Sequence, residues 1–224
     1  MTKIAVLHTS FVFVKTDPLF DELMQELVPD AEVVHFVDSD VLATVIRDDG
    51  ISDESTERMV HLAEAAEAAG ADLIFSACSS LGPALDVAAQ RVSVPVVKVD
   101  DAMAHEAAAR ASRIGVLATV PTTLGPTSDL IAKHAAELGR EVTTTPRLAE
   151  GAFDILVAGD RARHDELVVA AARALADEVE LLVLAQASMS RLAERIEQET
   201  GMPVLVSPRL GVGQLAERAH ELGS

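Results

Sequence analysis

A chain of 224 residues suits one large domain or two small ones, and it can bury about 70% of the surface its unfolded form exposes. Nearly half of it (49%) is hydrophobic, which excludes a disordered chain, and it lacks Trp and Tyr, the usual anchors of protein interfaces and base-stacking platforms. A net charge of −18, with the basic residues scattered, excludes a nucleic-acid partner and reads as solubility. The opening Met1–Ser10 holds too short an apolar run for a signal peptide, and no stretch approaches a membrane span. One cysteine, Cys78, leaves no internal disulfide and no multi-cysteine metal site, so a reducing, cytoplasmic setting is expected.

In chain order, short β-branched runs alternate with longer helical stretches. Strands buried on both faces are predicted at Ile4–Leu7, Val33–Val37, Leu73–Phe75 and Val94–Val99. Four more follow at Ile114–Leu117, Val142–Thr144, Leu181–Leu184 and Val204–Val206. Helices are predicted between them, for example over Ser55–Ala69 and Arg161–Glu178, where apolar residues recur at helical spacing. Gly70 and Gly139 close helices, and Pro95 and Pro203 each open a strand. This alternation predicts an α/β fold with a mostly parallel sheet flanked by helices.

The pattern occurs twice. KIAVLHT at Lys3–Thr9 returns as RIGVLAT at Arg113–Thr119, and SVPVVKV at Ser93–Val99 is answered by GMPVLVS at Gly201–Ser207. ADLIFSACSS at Ala71–Ser80 returns in outline around Val179–Met189, which sets Cys78 opposite Ala187. Three blocks in one order at nearly one offset indicate two similar lobes. The lobes are expected at 1–100 and 101–210, with 211–224 forming a C-terminal helix that packs back on the first lobe. A helix from about Asp101 to Ala111 is expected to cross to the second lobe.

Ligands of open parallel sheets bind outside the carboxyl ends of the strands. The residues there are small and polar: His8, Thr9 and Ser10, then Cys78, Ser79 and Ser80, then Thr119, Thr122 and Thr123, then Gln186, Ala187 and Ser188. Their hydroxyls and turn amides suit a carboxylate, so Ser10, Ser79, Thr119, Thr122, Thr123 and Ser188 form the expected cradle, with His8 pointing into the same site between the lobes. The same hydroxyls also suit ordinary helix capping. Cys78 precedes a helix expected to begin near Leu81, whose N-terminus would favour the thiolate; a buried, inert thiol is the alternative. His35 and Asp38 read either as a charged wall or as a surface loop, and of His164 and Asp165 one is expected to be solvated. No histidine set suggests a metal, and Gly82 and Gly125 belong to no nucleotide-binding pattern, so no cofactor is indicated.

The SACSS turn, the TVPTT turn, the LAQASM turn and the duplicated order resemble the aspartate/glutamate racemase superfamily from Lys3 to about Val206. The resemblance implies a cofactor-independent enzyme, often dimeric, with one thiol from each lobe flanking the acidic carbon of a small carboxylic acid. One thiolate removes a proton and the opposite thiol returns one. Cys78 matches the first thiol; the second position is read as Ala187, whose methyl carries no proton. A single-thiol isomerase acting on a small carboxylic acid is therefore the leading expectation. The runner-up is a decarboxylase like the superfamily's arylmalonate decarboxylases, which also use one cysteine, though in the other lobe. A binding protein that has lost its turnover is the rival from another class.

Overall fold

In the computed structural model, which describes residues 1–223, the chain runs β1 (Lys3–His8), α1 (Leu19–Leu27), β2 (Glu32–Val37), α2 (Val41–Arg47), α3 (Asp53–Ala68), β3 (Leu73–Ser76), α4 (Gly82–Ala88) and β4 (Val96–Lys98). The pattern then repeats as α5 (Asp101–Arg110), β5 (Arg113–Ala118), α6 (Pro121–Glu137), β6 (Thr143–Leu148), α7 (Ala152–Val157), α8 (Arg161–Leu175), β7 (Leu181–Leu184), α9 (Ala193–Thr200), β8 (Val204–Val206) and α10 (Ser207–Leu222). Each set of four strands forms its own parallel sheet, in the order β2-β1-β3-β4 and β6-β5-β7-β8. The fold is α/β with two lobes.

The chain divides into two compact units, one of residues Met1–Val99 with the chain from Pro208 onward, the other Asp100–Ser207. In each unit the central strands β1 and β3, or β5 and β7, are buried along almost their whole length. The flanking strands are only half-buried, so the expectation that all eight would be buried on both faces fails at the sheet edges. Edge position also explains why β6 continues through Pro146, past its expected end at Thr144: an edge strand does not need that N–H for a second neighbour.

Helix α3 starts at Asp53, two residues before the apolar pattern suggests, because Ser52 and Ser55 form a reciprocal capping box. On one face of the first sheet, Ala5, Leu7 and Ile74 pack against Met59, Val60 and Ala63 of α3 and Leu85 of α4. On the other, Phe20 of α1 meets Phe75 edge-on at 5.7 Å between ring centres. The second unit repeats the first arrangement with Leu117, Leu182 and Leu184 against Val168, Val169 and Ala172 of α8.

Helix α10 begins directly after β8, earlier than the expected start at 211, and its residues from Pro208 belong to the first unit. Gly211 lies so close to the end of β4 that a Cβ there would stand 2.3 Å from the Val99 carbonyl oxygen. Val212 and Leu215 are buried, and Arg209 pairs with Glu26 of α1.

Candidate active site

The carboxyl edge of the first sheet is levelled by hydrogen bonds that extend the ladder past the strands. The Ala77 N–H donates to Leu7 O at 3.0 Å, the Val99 N–H to Ser76 O at 3.0 Å, and the Asp38 N–H to His8 O at 3.0 Å. Cys78 therefore leaves the sheet one residue after the last paired position of its strand. Its side chain is partly exposed and packs against the core beneath the edge, beside buried Ser79 and Ser80. The following helix α4 has only seven residues and begins at Gly82, four positions on. Its N-cap is Leu81, where the helix is expected to begin, but a dipole acts within the first turn and α4 is short, so its support for Cys78 is weak.

The second sheet ends the same way, and this corrects the pairing of the halves. The Ala185 N–H donates to Leu117 O at 2.9 Å, as the Ala77 N–H does to Leu7 O. Leu117 is the counterpart of Leu7 and Ala185 that of Ala77, so the residue equivalent to Cys78 is Gln186, not Ala187. Ala187 corresponds to Ser79 and begins a 3-10 turn, Ala187–Leu192, that carries half-buried Ser188. Neither residue carries a thiol, so Cys78 remains the chain's one thiol.

Gln186 has a definite task. Its Oε1 accepts the Thr119 N–H at 2.5 Å, the Thr119 hydroxyl at 3.1 Å and the Val120 N–H at 3.2 Å. Thr119, expected in the carboxylate cradle, is thus committed to Gln186. Thr123 is fully buried on α6, while the Oγ1 of Thr122 is buried with no hydrogen-bond partner among the described residues. Ser10 is half-buried in the first unit.

His8 ends β1 and is 2% exposed. Its Nε2 lies 2.9 Å from Nδ1 of His35, whose ring stacks on it at 5.1 Å, and Nε2 of His35 lies 3.3 Å from Oδ1 of Asp21 on α1. The register accounts for the meeting: His35 pairs with Val6, and His8 is two residues further on, hence on the same face. Burial, and then the nearby His35, push the His8 pKa down to about 4. A neutral pair shares one proton between the two nitrogens; two cations would set N–H against N–H.

Other expectations are answered by ion pairs. Arg58 of α3 binds Asp38 through two nitrogens, at 2.7 and 2.5 Å, and holds its carboxyl below the usual range, so Asp38 fastens α3 to the loop after β2. His164 and Asp165 were expected to diverge, yet both are largely buried: His164 Nδ1 lies 2.8 Å from Asp165 Oδ1, and Asp165 pairs with Arg191 in the turn after Gln186. Among the described residues no helix is long and apolar enough to cross a membrane.

The sequence profile of the Asp/Glu/Hydantoin racemase family matches residues 16–215. No curated protein matches the sequence. Among solved structures the chain is similar to glutamate racemase isoform RacE1 from Bacillus anthracis (TM-score 0.80, 18% identity, 99% of this chain and 83% of that one). It is also similar to allantoin racemase from Klebsiella pneumoniae (0.72, 18%, 100% and 89%). A third likeness is to an aspartate racemase homologue from Pyrococcus horikoshii (0.65, 19%, 98% and 100%). At these identities the likenesses concern the fold.

Proposed function

The chain belongs to the Asp/Glu/hydantoin racemase family, and from that premise we propose that it is a cofactor-independent proton-transfer enzyme acting on a small carboxylic acid, with Cys78 as its one thiol acid/base. The observation that carries this reading is the asymmetry of the two sheet edges. One presents a partly exposed thiol at Cys78; the other presents, at the equivalent place, a glutamine already bound to the neighbouring turn. An amide neither takes nor gives a proton near neutral pH, so proton exchange by thiols is confined to the face served by Cys78.

In this reading the Cys78 thiolate removes the proton on the carbon next to the carboxylate. The electron pair spreads onto the carboxylate oxygens, and donors at the sheet edge stabilise that charge. Ser10 and Ser79, at the same sheet edge as Cys78, are the donors assigned to it. In a substrate with a double bond next to that carbon, the pair also reaches the far end of the double bond; return of the proton there forms the new C–H bond, shifts the double bond and gives an isomerase.

The same asymmetry favours a lyase as the second reading. There the bond to a departing carboxyl group breaks, its electron pair stays on carbon, and the Cys78 thiol donates the proton that forms the new C–H bond. Solvent then restores the thiol.

The test is incubation with 2-substituted malonates, 2-hydroxy acids and amino acids in deuterated water, followed by proton NMR. Stereospecific deuterium entry is expected, reduced roughly 100-fold or more in Cys78→Ser. Carbon dioxide release separates lyase from isomerase. Labelling that survives Cys78→Ser would remove the thiol from the mechanism, and tight binding without labelling would mark a binding protein.

A further inference from the structure

We propose that Asp21, His35 and His8 form a proton relay that connects the carboxyl edge of the first sheet with solvent. The inference rests on the proton-transfer reading above and adds the route by which the proton leaves or enters.

Three side chains from three elements, α1, β2 and β1, stand in one line: Asp21 Oδ1 lies at ion-pair distance from His35 Nε2, 3.3 Å, and His35 Nδ1 is hydrogen-bonded to His8 Nε2 at 2.9 Å. Exposure grows along it in one direction. His8 is 2% exposed, the His35 side chain 27% and the Asp21 side chain 51%, so the line runs from the interior to water. Its inner end is the last residue of β1, where the paired neighbour strand continues into Ala77 and Cys78.

The tautomers follow from the partners. The Asp21 carboxylate facing Nε2 favours the His35 proton on that nitrogen, which leaves Nδ1 as the acceptor. His8 must then donate from Nε2, which leaves its Nδ1 lone pair as the site where a proton is taken up. Transfer conserves every proton. His8 Nδ1 gains one from the site, the His8 Nε2 proton passes to His35 Nδ1, and the His35 Nε2 proton passes to Asp21 and on to water. Run backwards, the same steps supply a proton. Both rings are neutral before and after, so no cation is left beside the edge-on contacts of His8 with Phe20 and of Phe20 with Phe75. A packing role for His8 would be served by any fixed acceptor at Nε2. A second imidazole ending on an exposed carboxylate is what conduction requires.

Asp21→Asn is the decisive variant, because the amide keeps the shape of the carboxylate but cannot take the proton. In protein labelled with nitrogen-15 at histidine, NMR should find the Nε2–H form at both His8 and His35. The solvent exchange of the His8 Nε2 proton should slow about tenfold or more in Asp21→Asn and recover in Asp21→Glu. An unchanged exchange rate in Asp21→Asn, or the opposite tautomers, would overturn the relay without any substrate being known. With an acid that the wild type labels, Asp21→Asn should lower the rate of deuterium entry about fivefold or more at unchanged KM, and added imidazole should restore it. Full-rate labelling in Asp21→Asn would also overturn the relay. Absence of labelling in the wild type would count against the proposed activity alone, and the exchange measurement would still decide the relay.

Discussion

At the residue scale, His8 and Gln186 show how partners decide what a side chain can do. Gln186 holds three donors of the β5–α6 turn, a structural role in the place where Cys78 has a thiol. His8 has traded water for one nitrogen of His35 and resists protonation until about pH 4. Its unfolded counterpart protonates near 6.5, so between these values the unfolded chain binds more protons and acid favours it. The contribution of His8 to stability is therefore complete above pH 6.5, declines as pH falls, and is lost by about pH 4. The gap corresponds to about 3 kcal/mol at most. Urea unfolding from pH 7 to 4 should show this loss, and His8→Gln should flatten it. An equal slope in the variant would assign the acid sensitivity to groups other than His8; Asp38, whose carboxyl is held below its ordinary range, contributes only at lower pH.

At the element scale, the tightest constraint is the seat of α10. Gly211 lets the helix backbone approach the end of β4, where a methyl group would meet the Val99 carbonyl oxygen at 2.3 Å. The obstacle is backbone, which cannot rotate aside as a side chain does. Gly211→Ala should cost about 2–3 kcal/mol, read as a lowered melting temperature. Gly115→Ala makes a useful comparison: its Cβ would meet the movable end of Leu182 at 2.8 Å, so its cost should be smaller. Similar losses in the two variants would mean that α10 yields as easily as a leucine side chain.

At the scale of the whole molecule, the chain closes its first unit only with its last helix, because residues from Pro208 onward belong with Met1–Val99. A chain ending at Ser207 should therefore lose amide exchange protection in β1, β3 and β4 while β5 to β8 keep theirs. Uniform loss in all eight strands would show that α10 stabilises both units.

Much of this was legible in one dimension. The eight strands, the helices between them, the internal repeat and Cys78 all leave local marks: β-branched runs, helical spacing, recurring motifs and a lone thiol beside hydroxyls. Strand burial was misjudged at β2 and β6 because hydrophobic residues at a sheet edge look like those at its centre. The counterpart of Cys78 was misplaced by one residue because small residues surround both Gln186 and Ala187. Hydrogen bonds to Leu7 and Leu117 set the register, and a sequence does not display them. The same limit hid the line from His8 through His35 to Asp21. Its members lie 27 and 14 positions apart in the chain and meet only because β1 pairs with β2 while α1 packs nearby. Periodicity and propensity are short-range properties, so the sequence by itself determined the elements, their duplication and the thiol. Register, edge position and the pairing of distant polar groups arise when strands and helices pack, and only the tertiary structure decided those.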